Sequence, residues 1–236
     1  ESSAASDVYK RQFWEPGRFT IYITLALAIN LFYFKEKITS KKSLVLLLTN
    51  LTTFSTTGYV ATAVLFVGYI FFSNIKKSYK FILSVILLVV VYYVGQLDFM
   101  TEKIAEQSAD DSTWSRFGAI AYHWNQITQS PIIGFGPFLS NVFGDELFSP
   151  NGLTDLMRYY GIPLSIVFYY LLYRGTKVYV GNSHKGANVC VFVSLLLLCF
   201  SQTITYSPFF MILYFFAFNT YTVSYTHLTL PTTPYV

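Results

Sequence analysis

Charge is what this sequence lacks. Only 12% of its 236 residues are Asp, Glu, Lys or Arg, about half the ~25% of an average soluble domain. Cysteine is nearly absent too. Cys190 and Cys199 stand nine apart with no His or carboxylate at metal spacing, which excludes a zinc pattern and leaves them as small packing or lipid-facing residues. No phosphate-binding glycine loop or nucleotide fingerprint occurs. What is abundant is apolar: 53% of the chain is hydrophobic and 19% aromatic. Several apolar runs approach the ~17–25 residues that cross a bilayer as a helix. A soluble helical core could not hide so many in so short a chain. The expected fold class is therefore an all-α polytopic membrane protein.

The two ends stand apart from this pattern. Residues 2–12, SSAASDVYKRQ, and 223–232, VSYTHLTLPT, resemble translations of the two strands of one transposase sequencing adapter. Residues 1–12 and 223–236 are therefore expected to be adapter-derived, and 13–222 to be a segment cut at both ends. Within it, 13–97 and 156–222 read as transmembrane helices and 98–155 as one large loop.

Seven candidate crossings follow in order, at about 19–34, 43–54, 59–73, 81–97, 156–173, 187–203 and 208–221. The second is too short to span alone. With the third it reads as a tight hairpin turned by Ser-Thr-Thr-Gly at 55–58, one bent helix being the alternative. The segments 35–42, 74–80 and 174–186 hold ten Lys or Arg against the single acid Glu36. Residues 98–160 hold eight acids and only Lys103, Arg116 and Arg158 as bases. Helix count puts the basic segments on one face and the acidic interval on the other, so the bias of positive charge toward the cytoplasm makes the large loop extracytoplasmic.

Inside that loop, WSRFGAIAYHWNQIT at 114–128 carries apolar or aromatic residues at a spacing of three and four, which predicts an amphipathic helix on the membrane surface or capping the bundle. Arg116 and His123 fall two turns apart and share a face. Asp110, Asp111 and Ser112 precede it where they serve a helix N-terminus. Pro131 ends the helix, and Gly-Phe-Gly forms a loop. Asp145, Glu146 and Asp155 read as solvated loop charges. Arg158 reads either as a functional cation or as a side chain reaching back to the headgroups. Trp114, Trp124 and Tyr159 suit an interfacial aromatic belt.

Arg116, Trp124 eight residues later, PIIGFG at 131–136, PNG at 150–152 and YYGIP at 159–163 together resemble the large outer loop of the O-antigen polymerase/ligase superfamily. FWEPG at 13–17 is similar to the entry motif of the polymerase branch, and LTTFSTTG at 51–58 to the family's hairpin. Ligases of the superfamily place a His just before the Asn. Pro150 stands there in this chain, and Ser149 to Gly152 fit the Ser-x-Asn-Gly of polymerases.

The resemblance implies glycan transfer from undecaprenyl pyrophosphate to a sugar hydroxyl at the outer leaflet of a bacterial cytoplasmic membrane, here the polymerisation of surface polysaccharide repeat units. It implies no cofactor and no metal site, because the leaving group is already activated. Arg116, Glu15 and His123 are the expected catalytic residues, with Arg158, Asn151 and Trp124 binding substrate. An arginine suits the pyrophosphate, since its planar fork holds two oxygens and keeps its charge. Expected partners are the lipid-linked oligosaccharide, membrane lipids, a chain-length regulator and a flippase, with no nucleic acid. A ligase of the same superfamily and a flippase of lipid-linked oligosaccharide are the alternatives. A flippase would be expected to carry ionisable groups or broken helices at the bilayer midplane, whereas Asn30 and Asn50 are the main polar residues of these runs. The orientation has a direct test. A reporter fused near Ser140 should be extracytoplasmic and one near Gly181 cytoplasmic, and the reverse pattern would overturn both the orientation and the outer-face site.

Overall fold

The computed structural model describes residues 16–72, 76–96, 116–136, 151–180 and 186–218. Both expected adapter ends, Glu15 and most of the large loop lie outside these residues. The described chain is all-α, with no strand among the described residues. Its eight helices are α1 (Pro16–Ala28), α2 (Lys41–Leu51), α3 (Thr56–Phe72), α4 (Lys77–Gly95), α5 (Arg116–Gln129), α6 (Gly152–Val180), α7 (Ala187–Ser201) and α8 (Pro208–Phe215).

Local chemistry sets most of the boundaries. Pro16 opens α1, where a missing N–H costs nothing. α1 then widens into a π-helical turn over Ile29–Tyr33, closed by Phe34 N–H donating to Ile29 O at 3.1 Å. Ser40 caps α2 by accepting from Ser43 N at 3.3 Å, and Ser207 caps α8 from Phe210 N at 3.3 Å with Pro208 next. Between α2 and α3 the chain turns at Thr52–Ser55 through a left-handed Phe54, so two helices form here and not one bent one. Gly58 N–H donates to Ser55 Oγ at 3.2 Å and starts α3.

α7 stands between α3 and α6, and α1 packs on α2, α3 and α7. The core runs through Leu25, Leu31 and Phe32 of the first helix and its π turn, Ala61 and Leu65 of α3, Leu172 of α6 and Val191, Leu195 and Leu198 of α7. Polar groups are buried among them. Thr20 Oγ1 donates to Asn50 Oδ1, Asn50 Nδ2 to Thr62 Oγ1 at 2.6 Å, Asn30 Nδ2 to Ser43 Oγ at 2.8 Å, and Ser194 Oγ to the Ala61 carbonyl at 2.9 Å. These bonds tie α1, α2, α3 and α7 where their backbones come close.

The expectation of seven membrane crossings meets a correction. Among the described residues no helix is long and apolar enough to cross a membrane. α2, α7 and α8 have 11, 15 and 8 residues, against about 20 for a span. α4 spends its first turn on Lys77 and Lys80. α6 has 29 residues but is broken at Gly161, with Asp155 and Arg158 before the break.

That break shapes the candidate site. Gly161 has φ 76° and ψ 168°, a region essentially reserved for glycine. It faces the segment after α5, where Ser130 Oγ donates to the Gly134 carbonyl at 2.9 Å and Gly134 itself has φ 72°. Phe135 N–H donates to Arg158 O at 2.9 Å and Ile162 N–H to Pro131 O at 2.8 Å. The two glycines interlock. A Cβ on Gly134 would lie 2.6 Å from Tyr159 O, and one on Gly161 would strike Ile132 O. Gly161→Ala and Gly134→Ala should each destabilise the folded chain by about 2 kcal/mol or more, read as a lowered thermal midpoint in detergent. Gly136→Ala, also at positive φ but with no atom within 4 Å of the added Cβ, should cost about 1 kcal/mol. Equal effects at all three positions would refute the interlock.

Candidate functional site

The side chains with the most chemistry converge where α5 lies on the first turns of α6. Asn151 is buried and caps α6, its Oδ1 accepting from Leu153 N at 3.1 Å and Thr154 N at 3.4 Å. This fixes the register in which Thr154, Asp155 and Arg158 follow. Asp155 and Arg158 are three residues apart and so share a face. Arg158 Nε donates to Asp155 Oδ1 at 2.8 Å, and its Nη2 lies 2.7 Å from the same oxygen. Nη1 donates across to Gln126 Oε1 of α5 at 3.2 Å. The Tyr159 ring lies 5.7 Å from the guanidinium carbon and packs edge-on against Tyr206.

Arg158 is only 2% exposed. It does not reach back to the surface, because the carboxylate and the carboxamide that satisfy it are both inside. Asp155 is buried as well, which corrects its reading as a solvated loop charge. Gln126 Nε2 is buried with no hydrogen-bond partner among the described residues, a position that costs free energy unless something else takes the donor.

His123 sits one turn before Gln126, buried on the same face of α5, with Nδ1 2.6 Å from Thr154 Oγ1. Burial, with the nearby Arg158 charge added, pushes its pKa down to about 3. The ring is therefore neutral at physiological pH. Burial pushes Asp155 the other way, up to about 6, with the Arg158 charge pulling it back. Trp124 points away, 57% exposed. Arg116 begins α5, and its side chain, like Glu15, lies outside the described residues. The structure thus brings His123, Asn151 and Arg158 together and leaves Trp124 on the outer surface of α5. Asp155, Gln126 and Thr154 join the site unforeseen. The i,i+3 pair of opposite charges on one helix was the available signal for Asp155, and Gln126 lies three residues from His123 on the same face.

Residues 43–157 match the family model described as O-antigen ligase. This stretch belongs to the O-antigen polymerase/ligase superfamily. No curated protein and no solved structure matches the chain. The superfamily segment contains nearly all of the α2–α3 hairpin, Arg116, His123, PIIGFG, Asn151 and Asp155, and it stops just before Arg158. Superfamily members are membrane proteins of bacteria with ligase- or polymerase-type function. No group of three or more His, Cys, Asp or Glu that could hold a metal occurs among the described residues.

The two shifted groups have opposite effects on stability. Asp155 has its folded pKa above its unfolded value near 3.8, so its contribution is full below that value and is lost as pH rises through about 6. His123 has its folded pKa below 6.5, so its contribution is full above 6.5 and falls as pH drops toward 3. Between pH 4 and 6 the two slopes oppose each other, and wild-type thermal stability should be nearly flat. His123→Gln should unmask the Asp155 slope, with stability falling on the order of 2 kcal/mol as pH rises from 4 to 6. A flat His123→Gln profile would show that Asp155 does not titrate in this range.

Proposed function

We propose that this chain is part of a membrane glycosyltransferase that polymerises lipid-linked oligosaccharide repeat units at the outer leaflet of a bacterial cytoplasmic membrane. The observation that carries the reading is the buried Arg158–Asp155–Gln126 constellation beneath the PIIGFG segment. A guanidinium held by a carboxylate is oriented before substrate arrives, and in low dielectric a preorganised cation stabilises developing negative charge far better than in water. Bilayer immersion is supported by the surface: α4 exposes Phe81, Ile82, Val85, Ile86, Leu88 and most of the residues after them, while the interior holds hydrogen-bonded Asn and Thr.

In the proposed reaction a hydroxyl of the acceptor sugar attacks the anomeric carbon of the donor. The new glycosidic C–O bond forms as the bond to pyrophosphate breaks, and the bonding electron pair leaves with undecaprenyl pyrophosphate. Arg116 meets the pyrophosphate oxygens and Glu15 takes the hydroxyl proton. Arg158, buried and held by Asp155 and Gln126, adds its positive field from inside the fold without direct contact. Gln126 Nε2, with no partner among the described residues, is a donor left over in the same cluster. His123, neutral and with so low a pKa, is a weak base and acts through its bond to Thr154, holding α5 against α6. Asn151 contributes by capping α6, and Trp124 by offering a ring at the outer surface. The undecaprenyl-linked donor and acceptor are the substrates, and a chain-length regulator and flippase are the expected neighbours in the membrane.

The family match, described as O-antigen ligase, favours ligation as the second reading, with the same transfer chemistry and a different acceptor. Full-length Arg116→Ala protein should accumulate normally yet make single repeat units, with the rate down about 30- to 1000-fold. Lys at position 116 should rescue only partly. Normal long-chain polymer in Arg116→Ala cells would remove it from the mechanism. Unlinked long chains in cells lacking the full-length protein would indicate ligation.

A further inference from the structure

The other end of the bundle carries a second feature. The end of α1 with its π turn and the first turns of α2 flank an open groove of about 610 Å³. Ile29 and Phe34 line one wall, Val45 and Leu46 the other, and Lys41 and Lys42 stand at its basic end. Asn30 also lines it and donates to Ser43 Oγ of α2 at 2.8 Å, so the groove lies between two helices that are bonded to each other. Phe34, Lys41, Lys42 and Val45 are all exposed. Among the described residues the ion-pair partner of Lys42 is a distant one, Glu36 at 3.9 Å. Lys35 and Lys37 lie exposed in the same turn, so four lysines face one acid over residues 35–42.

We propose that this groove binds one anionic phospholipid, an acyl chain lying along Ile29, Phe34, Val45 and Leu46 and the headgroup phosphate meeting Lys41 and Lys42. The proposal rests on the bilayer immersion argued above. The groove has the two-part chemistry of that ligand, an apolar trough ending in a cluster of cations. Tyr33, Phe34, Leu44, Val45 and Leu48 of the same turn and helix are exposed as well, apolar side chains for which a lipid would be a suitable neighbour. Basic pockets between helices on the cytoplasmic side of membrane proteins hold anionic headgroups by the same physics.

The test uses the full chain purified in detergent and offered equal amounts of phosphatidylglycerol and phosphatidylcholine with matched acyl chains, with retained lipid read by native mass spectrometry. The wild type should retain phosphatidylglycerol preferentially. The Lys41→Gln/Lys42→Gln variant should lose on the order of 10- to 30-fold of that preference. Val45→Trp, which fills the trough, should lower retention of both lipids. Millimolar inorganic phosphate should not displace the bound lipid, and displacement would reassign the site to a free anion. Unchanged preference in the double-lysine variant, or equal retention of both lipids by the wild type, would overturn the proposal. Carbonate-resistant insertion into phosphatidylcholine vesicles separates the two ideas. Insertion without lipid preference sinks the groove alone, and failure to insert sinks the groove and the bilayer reading together.

Discussion

A guanidinium taken out of water must be paired, and that requirement organises one end of this protein. Desolvating an ion costs several kcal/mol even after relaxation. Arg158, at 2% exposure, meets the requirement with a carboxylate on its own helix and a carboxamide on another. Asp155 comes with the helix, because three residues along α6 is one turn. Gln126 comes only if α5 docks, so burial of Arg158 and docking of α5 are one event. Breaking the pair by removing Asp155 would strand a buried charge, and the loss would exceed the value of the contact itself.

Docking in turn depends on backbone. The segment after α5 returns along α6 and bonds to Arg158 O and Ile162 N, which α6 offers only because its helix is interrupted at Gly161. The interruption frees carbonyl and amide groups that a continuous helix would use internally. The close approach that results leaves no room for a Cβ on Gly134 or Gly161. The glycines of the two motifs are thus a single device, and the site is assembled around it.

The rest of the bundle buries polar groups among its apolar core and exposes large apolar side chains. Thr20, Asn50, Thr62, Asn30, Ser43 and Ser194 are buried and joined in hydrogen bonds, while α4 shows large apolar side chains on most of its surface. In water that surface would be costly. In lipid, interhelical polar bonds and close small-residue contacts are the usual means of holding helices together. The contact of Gly68 with Cys190 is of this kind, since a Cβ at 68 would lie 2.7 Å from the cysteine Cβ. This distribution, and not the length of any one helix, is what the proposed immersion rests on.

Much of the architecture was legible in the sequence because it is written in local chemistry. Apolar runs marked the helices, and Ser-Thr-Thr-Gly at 55–58 marked the break between α2 and α3, although the turn itself falls at 52–55 and Thr56 to Gly58 open α3. Pro131 marked the end of α5, and the order of short motifs pointed to the superfamily that the match over residues 43–157 supports. Asn151, His123 and Arg158 stood out by residue type and motif. Their environment did not, because burial is set by partners about 30 positions away: His123 meets Thr154 and Gln126 meets Arg158 only after α5 folds onto α6. Asp155 looked like a loop charge for the same reason. Its neighbours along the chain are those of an exposed helix start, and only tertiary packing removed the water. The break at Gly161 was equally hidden, since a glycine inside an apolar run is compatible with a continuous helix. It became a break because another backbone came to lie against it.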